Sequence, residues 1–293
     1  MRILLFLMTN MAIVLVVGVV WRLLGFESFL DANGVGLDFN ALLVFCGLFG
    51  MGGSVLSLLI SKWSAKRGTR TRIIENPSNR DEEWLLKTVK QLAEQAGIGM
   101  PEVGIFPSDA PNAFATGWNR NNALVAVSTG MLQRFKPEEV RAVMAHEIGH
   151  VANGDMVTLA LIQGVVNTFV MFFARVIGHT IDRVVFKNER GLGIGYFVGS
   201  IVAEILLSIL ASTIVMWFSR YREYRADAAG ADLGGKQNMI AALRRLQAEM
   251  NMPSDLPGEL TAFGIRSGGG SNIRQLFSSH PPLDKRIEAL QNR

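Results

Sequence analysis

The run His146-Glu147-Ile148-Gly149-His150 has the pattern H-E-x-x-H. Side chains four residues apart share one face of a helix, so both imidazoles can turn toward a single metal ion. The glutamate lies next to the first histidine. There it can reach a water at the metal's open position and act as its general base. This is the chemistry of a zinc hydrolase that cuts peptide bonds, with His146 and His150 as ligands and Glu147 as the base. The bland alternative is a helix that happens to expose two of the chain's four histidines.

A catalytic zinc takes three protein ligands and keeps one position open. A third histidine six residues after His150 is ruled out, because Met156 stands there. The next histidine, His179, lies beyond an apolar stretch. The segment Arg222-Glu223-Tyr224-Arg225-Ala226-Asp227 offers two acids four residues apart. On a helix, Glu223 would ligate the metal while Asp227 accepts the second ring N–H of a ligand histidine. The rival reading is a solvated charged turn flanked by Arg220, Arg222 and Arg225. Topology favours Glu223, because it meets His146 only if an even number of membrane crossings separates them, and two candidate crossings do. His280-Pro281-Pro282 and Arg286 follow near the end of the chain. His280 is a candidate transition-state donor or substrate contact. Arg286 is a candidate for stabilising negative charge or for orienting the last helix. The plain alternative for both is a proline-defined helix start with a surface arginine.

The elements that must position these residues are legible around them. Pro137, Glu138 and Glu139 suit the first turn of a helix, and Val140, Val143, Met144, Ile148 and Val151 give it an apolar face. The helix should end near Asn153-Gly154. Glu138, Glu139 and Arg141 leave too few apolar residues before His146 for a span, so the metal helix is not itself transmembrane. Upstream, Trp84, Leu85, Val89, Leu92 and Ala96 recur at helical spacing and Gly97 follows as a stop. Residues 103–106, 112–117 and 123–128 read as strands, the last two joined by a polar turn at 119–122.

Composition places this domain on a membrane. Of 293 residues, 49% are hydrophobic and mean hydropathy is positive, too apolar for an ordinary soluble enzyme. The net charge is +4, and its basic residues cluster beside apolar segments. That suits membrane orientation and not nucleic-acid binding. The single cysteine, Cys46, excludes an intrachain disulfide and is expected to serve packing. Residues 3–24 and 41–60 have the length of spans, the first being too long for a cleaved signal's apolar core. Gly47, Gly50, Gly52 and Gly53 in the second would permit close helix packing. The loop between them carries Glu27, Asp31 and Asp38, and Lys62, Lys66, Arg67, Arg70 and Arg72 follow the second. The positive-inside rule then puts the loop outside and the metal helix in the cytoplasm. Stretches 156–177 and 194–218 either span or form a partly inserted hairpin. They carry polar pairs and stripes: Gln163 with Asn167, and Ser200, Glu204, Ser208 and Ser212, which usually face another helix or a wet cavity. Glu204 would serve either packing or function. Ser267 to Ser271 reads as a flexible connection.

Together these residues resemble the HtpX family of bacterial membrane-bound zinc metalloproteases, relatives of the CAAX prenyl proteases. The matching elements are Asn112-Ala113-Phe114-Ala115-Thr116-Gly117, His146 to His150 followed by Ala152-Asn153-Gly154-Asp155, Arg222 to Asp227, and His280-Pro281 with Arg286. They stand in family order over essentially the whole chain. The resemblance implies an α+β zincin-like metalloprotease domain with a small β-sheet, attached to membrane-spanning α-helices. It implies one Zn²⁺ per subunit held by His146, His150 and Glu223, catalysis by Glu147, and an Asn112-Ala113-Phe114 strand beside the metal helix where a substrate strand could pair. It further implies a multi-pass protein of the bacterial inner membrane with its active site facing the cytoplasm. That protein would cut damaged or misfolded membrane proteins under stress. Its partners would be those substrates, the bilayer and other membrane quality-control proteases, and no nucleic acid. The expected organisation is a transmembrane hairpin over 1–62, a cytosolic part over 63–155, a second hydrophobic hairpin over 156–218 and a cytosolic part over 219–293 that completes the zinc site. Two rivals stand beside this reading. A prenyl-peptide protease would need a large enclosed chamber, for which four short spans leave little room. A structural metal scaffold would not need Glu147.

Overall fold

The computed structural model describes residues 38–189, 191–250 and 280–293. The expected span 3–24, Glu27, Asp31 and the segment Ser267 to Ser271 lie outside them. In chain order the elements are α1 (Phe39–Gly68), β1 (Arg72–Ile73), α2 (Arg80–Gln95), β2 (Glu102–Phe106), β3 (Ala113–Asn119), β4 (Asn122–Ser128), α3 (Thr129–Arg134), α4 (Pro137–Asn153), α5 (Asp155–Thr180), α6 (Ile194–Gly234), α7 (Lys236–Met250) and α8 (Leu283–Gln291). A wide helical turn, Ile181–Val185, extends α5. Packing divides the chain into two compact units. One holds the described residues up to Ser57 with Leu159–Val215, and the other holds Leu58–Thr158 with Met216–Arg293.

The first unit is made of the apolar parts of α1, α5 and α6. Each of these helices is long and apolar enough to cross a membrane. Their large apolar side chains face outward, among them Val44, Leu48 and Phe49 on α1 and Ile201, Ile205 and Leu206 on α6. That is the reverse of a soluble core and is what lipid as a solvent selects. Close contact between α1 and α5 is steric. A Cβ on Gly50 would lie 2.6 Å from the Thr168 backbone nitrogen, and one on Gly164 would lie 3.3 Å from Met51 Cα. Gly52 and Gly53 have nothing within 4 Å, so the expected role in packing belongs to Gly50 and not to them. Ser54 Oγ also donates to the Ala160 carbonyl. Cys46 is fully buried in a cluster with Phe39, Leu43, Phe172 and Val176. The polar stripe expected on α6 is covered only in part among the described residues: a Cβ on Gly178 would collide with Ser200 Oγ, while Glu204 and Ser208 are exposed.

The second unit is a mixed α+β domain. Its sheet has the order β1-β2-β4-β3, with β2 parallel to β4 and the outer pairs antiparallel. The central strand β4 is buried from Ala123 to Ser128, as a strand covered on both faces should be. On α2, Asn79 caps the helix by accepting from the Glu82 backbone N–H at 2.9 Å, and Leu85, Val89 and Leu92 face inward. α4 lies at the centre of one apolar core shared with α2, the sheet, α7 and α8. The three strands read from the sequence match β2, β3 and β4 to within two residues at each end. β1 has two residues and carries no pattern to read. Lys62 and Lys66, from the end of α1, pair with Glu102 at 2.9 and 2.8 Å, and Lys62 also donates to Asn122 Oδ1 at 2.6 Å. Basic residues expected only to orient the chain therefore also anchor a helix to the sheet.

Candidate metal centre

α4 carries the H-E-x-x-H run in its last turns. Its start is fixed by Pro137 and by Glu139, which accepts from the Lys136 backbone N–H at 2.9 Å. Its end is fixed by Gly154, whose φ of 73° lies in the left-handed region that a side chain resists. The helix stops at that glycine, and the chain turns at once into α5 with Asp155 as its first residue. His146 and His150 lie edge to face with ring centroids 4.7 Å apart, both turned toward the same side.

The partner face belongs to α6, which continues without a break from its apolar stretch through Glu223 to Gly234. Charged residues after the apolar stretch therefore form a helix and not a solvated turn. Two glycines let α6 come close to α4. A Cβ on Gly149 would stand 2.9 Å from Ala229 Cβ, and a Cβ on Gly230 would stand 3.2 Å from the His146 nitrogen. At that spacing Glu223, 2% exposed, reaches both rings. Its Oε2 is 3.5 Å from His146 Nε2 and its Oε1 is 3.3 Å from His150 Nε2. Ligand atoms of all three residues lie within 4.8 Å of one another. Tetrahedral zinc with bonds of about 2.0–2.1 Å sets its ligand atoms roughly 3.3–3.4 Å apart, so the separations fit that ion.

Behind each ring stands an acid. Asp227 Oδ1 is 2.9 Å from His146 Nδ1, and Asp155 Oδ2 is 2.7 Å from His150 Nδ1. An Nδ1–H donated to a carboxylate leaves the Nε2 lone pair of each ring facing Glu223. Asp227 is held in turn by Arg286 of α8, which donates from Nε at 2.7 Å and Nη2 at 2.6 Å in a two-pronged pair. Arg286 also comes within 3.2 Å of Glu223 Oε2. Arg222 donates to the Asp155 carbonyl at 3.2 Å and to Ser219 Oγ at 3.1 Å, tying the start of α5 to α6.

The electrostatics favour a cation. Burial opposes charge on His146, yet Asp227 and Glu223 outweigh it and push its pKa up to about 10. For His150, burial is likewise outweighed by Asp155 and Glu223, and its pKa rises. Burial disfavours ionised Glu223, but His280, Arg286 and the two imidazoles hold its pKa well below the usual carboxylate range. Asp227 is held at about 2, against its burial, chiefly by Arg286. The pocket thus stabilises positive charge on the imidazoles, and a divalent cation supplies that charge while releasing their protons.

The remaining expected residues fall around this centre. Glu147 is half-buried on α4, and the charges of Arg222 and Arg286 are close enough to interact with it. His280 Nδ1 is 2.8 Å from Glu223 Oε2, with a third of its side chain exposed. Arg286 is 4% exposed, so the surface-arginine alternative does not hold. Ala113 and Phe114 lie on β3, which packs beside α4, and Asn112 immediately precedes it. No strand pairs with the outer edge of β3 among the described residues. Asp155 has no task in the reading of the sequence alone, although an acid five residues past the second histidine, just after an Asn-Gly turn, is a recognisable place for a histidine's partner. His179 lies on the far part of α5 and joins no ligand cluster among the described residues.

Comparison with known proteins agrees with this centre. Residues 79–293 match peptidase family M48. Protease HtpX of Pseudomonas fluorescens strain Pf-5 is 63% identical over 293 residues, covering 100% of this chain and 99% of that one. Protease HtpX of Hahella chejuensis is 64% identical over 289 residues, covering 99% and 98%. The crystal structure of S. mikatae Ste24p superposes with a TM-score of 0.62 over 98% of this chain and 67% of that one, at 20% identity, a likeness of fold. Given that identity, the His146–His150–Glu223 cluster and the three span-length helices, the chain belongs to the HtpX proteases of peptidase family M48, zinc peptidases of the bacterial inner membrane.

Proposed function

We propose that the chain is an endopeptidase that cuts damaged or misfolded membrane proteins from the cytoplasmic side of the inner membrane, alongside other membrane quality-control proteases. The observation that carries this reading is the Glu223 carboxylate, set between two imidazoles by a helix that runs straight out of an apolar stretch. In this reading His146, His150 and Glu223 hold zinc, and Asp227 and Asp155 fix the ring orientations. Zinc held there supplies Lewis acidity and makes water a nucleophile near neutral pH. Glu147 takes the proton from the attacking water and passes it to the leaving amine. The outer edge of β3, which no described strand pairs, aligns the substrate strand by backbone pairing beside Asn112-Ala113-Phe114. His280, partly exposed, is the better placed of the two C-terminal residues to meet substrate. Arg286, buried and doubly bound to Asp227, positions that acid and α8. The four-part organisation with boundaries at 62, 155 and 218 remains our working division of the chain.

The test uses the full chain in proteoliposomes with an unfolded membrane protein. Wild type should cleave it in a zinc-dependent way. Glu147→Gln should keep zinc and lose ~10²-fold or more in rate. Retention of a tenth of wild-type hydrolysis would remove Glu147 from the mechanism. Reporter fusions after Arg72 and at the C-terminus should both report from the cytoplasm, and an external signal at either end overturns the assigned side.

A further inference from the structure

Exposed aromatic side chains end the outward apolar surfaces of α1 and α6. On α1 the outward apolar surface ends at Trp63, 58% exposed, with Arg67 stacked 5.0 Å over its ring. On α6 it ends at Trp217, 64% exposed and stacked on Tyr221 with centroids 6.4 Å apart. Exposed tryptophan and tyrosine backed by arginine settle at the level of the lipid headgroups. Arg70 follows the first pair, Arg220 lies between the members of the second, and Arg225 follows it. Glu223 comes six residues after Trp217 on the same unbroken helix, an axial rise of about 9 Å. The other ligand helix behaves alike, since His150 stands five residues before Asp155, the first residue of the span-length α5. Both ligand-bearing segments therefore join apolar helices within two turns.

We propose that the metal centre works within about 10 Å of the headgroups and selects scissile bonds in the first few residues that emerge from a membrane span. This rests on the peptidase reading above and adds the location of the bond to it. An extended strand rises about 3.3 Å per residue, so roughly three residues bridge that height. A flexible tail of n residues reaches about 5–6 Å × √n, and its effective concentration at a fixed site falls as the −3/2 power of n once the tail exceeds the span. A site 40 Å above the bilayer would instead be matched by tails of about fifty residues.

The experiment is a ladder of single-span substrates reconstituted with the full chain. One cleavable sequence is placed 4, 8, 16 and 32 residues from the span in a Gly/Ser tail, and the same tail is also supplied as a free peptide. The rate should be highest at 4 or 8 residues and fall roughly eightfold from 8 to 32. A rate that is flat, or that rises toward 32 residues, overturns the proposal while cleavage of the free peptide leaves the peptidase reading standing. If neither tethered tail nor free peptide is cut, the peptidase reading itself falls.

Discussion

His146 and His179 are both buried histidines on long helices, each with an aspartate and an arginine close at hand, yet their surroundings differ in kind. At His179 the neighbours are local. Asp182 accepts from the Gly193 backbone N–H at 2.8 Å and from Asn188 Nδ2 at 2.9 Å, and Arg183 donates to the Asn188 carbonyl at 2.6 Å. The acid and the arginine close the turn between α5 and α6 and make no hydrogen bond to the ring. Neither nitrogen of His179 has a hydrogen-bond partner among the described residues. At His146 the partners that face the ring, Asp227 and Glu223, come from α6, far along the chain, and Arg286 of α8 holds Asp227 in place. The same three residue types build a hairpin stop in one place and a metal pocket in the other. What separates them is whether the carboxylates are spent on backbone or aimed at imidazole.

The strongest way to break that contrast is to remove the acid shared by both ligand rings. Glu223→Ala should lose zinc as well as hydrolysis, with metal affinity down by more than the ~100-fold typical of a lost supporting residue. Metal analysis of the purified variant, with a chelator competition to rank affinity, reads this directly. Full zinc content in Glu223→Ala would mean that convergence on the imidazoles is not what holds the ion.

A second pair of variants sharpens the contrast between the two supporting acids. Asp155→Ala and Asp227→Ala should each lower zinc affinity ~10–100-fold. Their stabilities should part company. Asp227→Ala leaves Arg286 buried without its two-pronged partner, a loss of roughly 3–5 kcal/mol. Asp155 touches Arg222 through its backbone carbonyl, which the substitution keeps. Thermal unfolding should therefore fall further for Asp227→Ala, and equal falls would argue that Arg286 finds other partners. Gly149→Ala tests the approach of α6 itself. The added methyl meets Ala229 Cβ at 2.9 Å, and overpacking of this kind costs roughly 1–3 kcal/mol. Zinc affinity should drop with it, because Glu223 moves away with its helix. Unchanged zinc affinity would show that the helices separate without moving the carboxylate.

The sequence reveals what depends on near neighbours. H-E-x-x-H needs only helical periodicity, and the helices and the three longer strands follow from apolar spacing, turn residues and caps. Glu223 was reachable because counting crossings is also a sequence operation. Other features depend on surfaces distant along the chain. Gly149 looks like a filler residue until Ala229 and Ala226 are seen against it. Arg286 reads as well on a surface as in a core, since only the fold brings it to Asp227. β1 has two residues and offers no period to detect. The polar stripe of α6 shows the converse: four residues at helical spacing suggest a covered face, but among the described residues Glu204 and Ser208 are exposed.

The smallest expected effect closes the comparison from the other side. If the His179 region is only a hairpin stop, His179→Leu should leave zinc content and hydrolysis within about twofold of wild type, since all three ligands and both supporting acids keep their places. Its stability should stay level or rise, because the buried ring has no hydrogen-bond partner among the described residues, and an unpartnered polar ring carries a desolvation cost of about 1–3 kcal/mol that leucine avoids. Thermal unfolding in detergent, read beside metal content, separates two ways of being wrong. A tenfold loss of zinc would tie His179 to the metal centre and erase the distinction between the regions. A loss of stability beyond about 2 kcal/mol with zinc intact would mean that the ring holds a partner outside the described residues, since only a satisfied buried group is costly to delete.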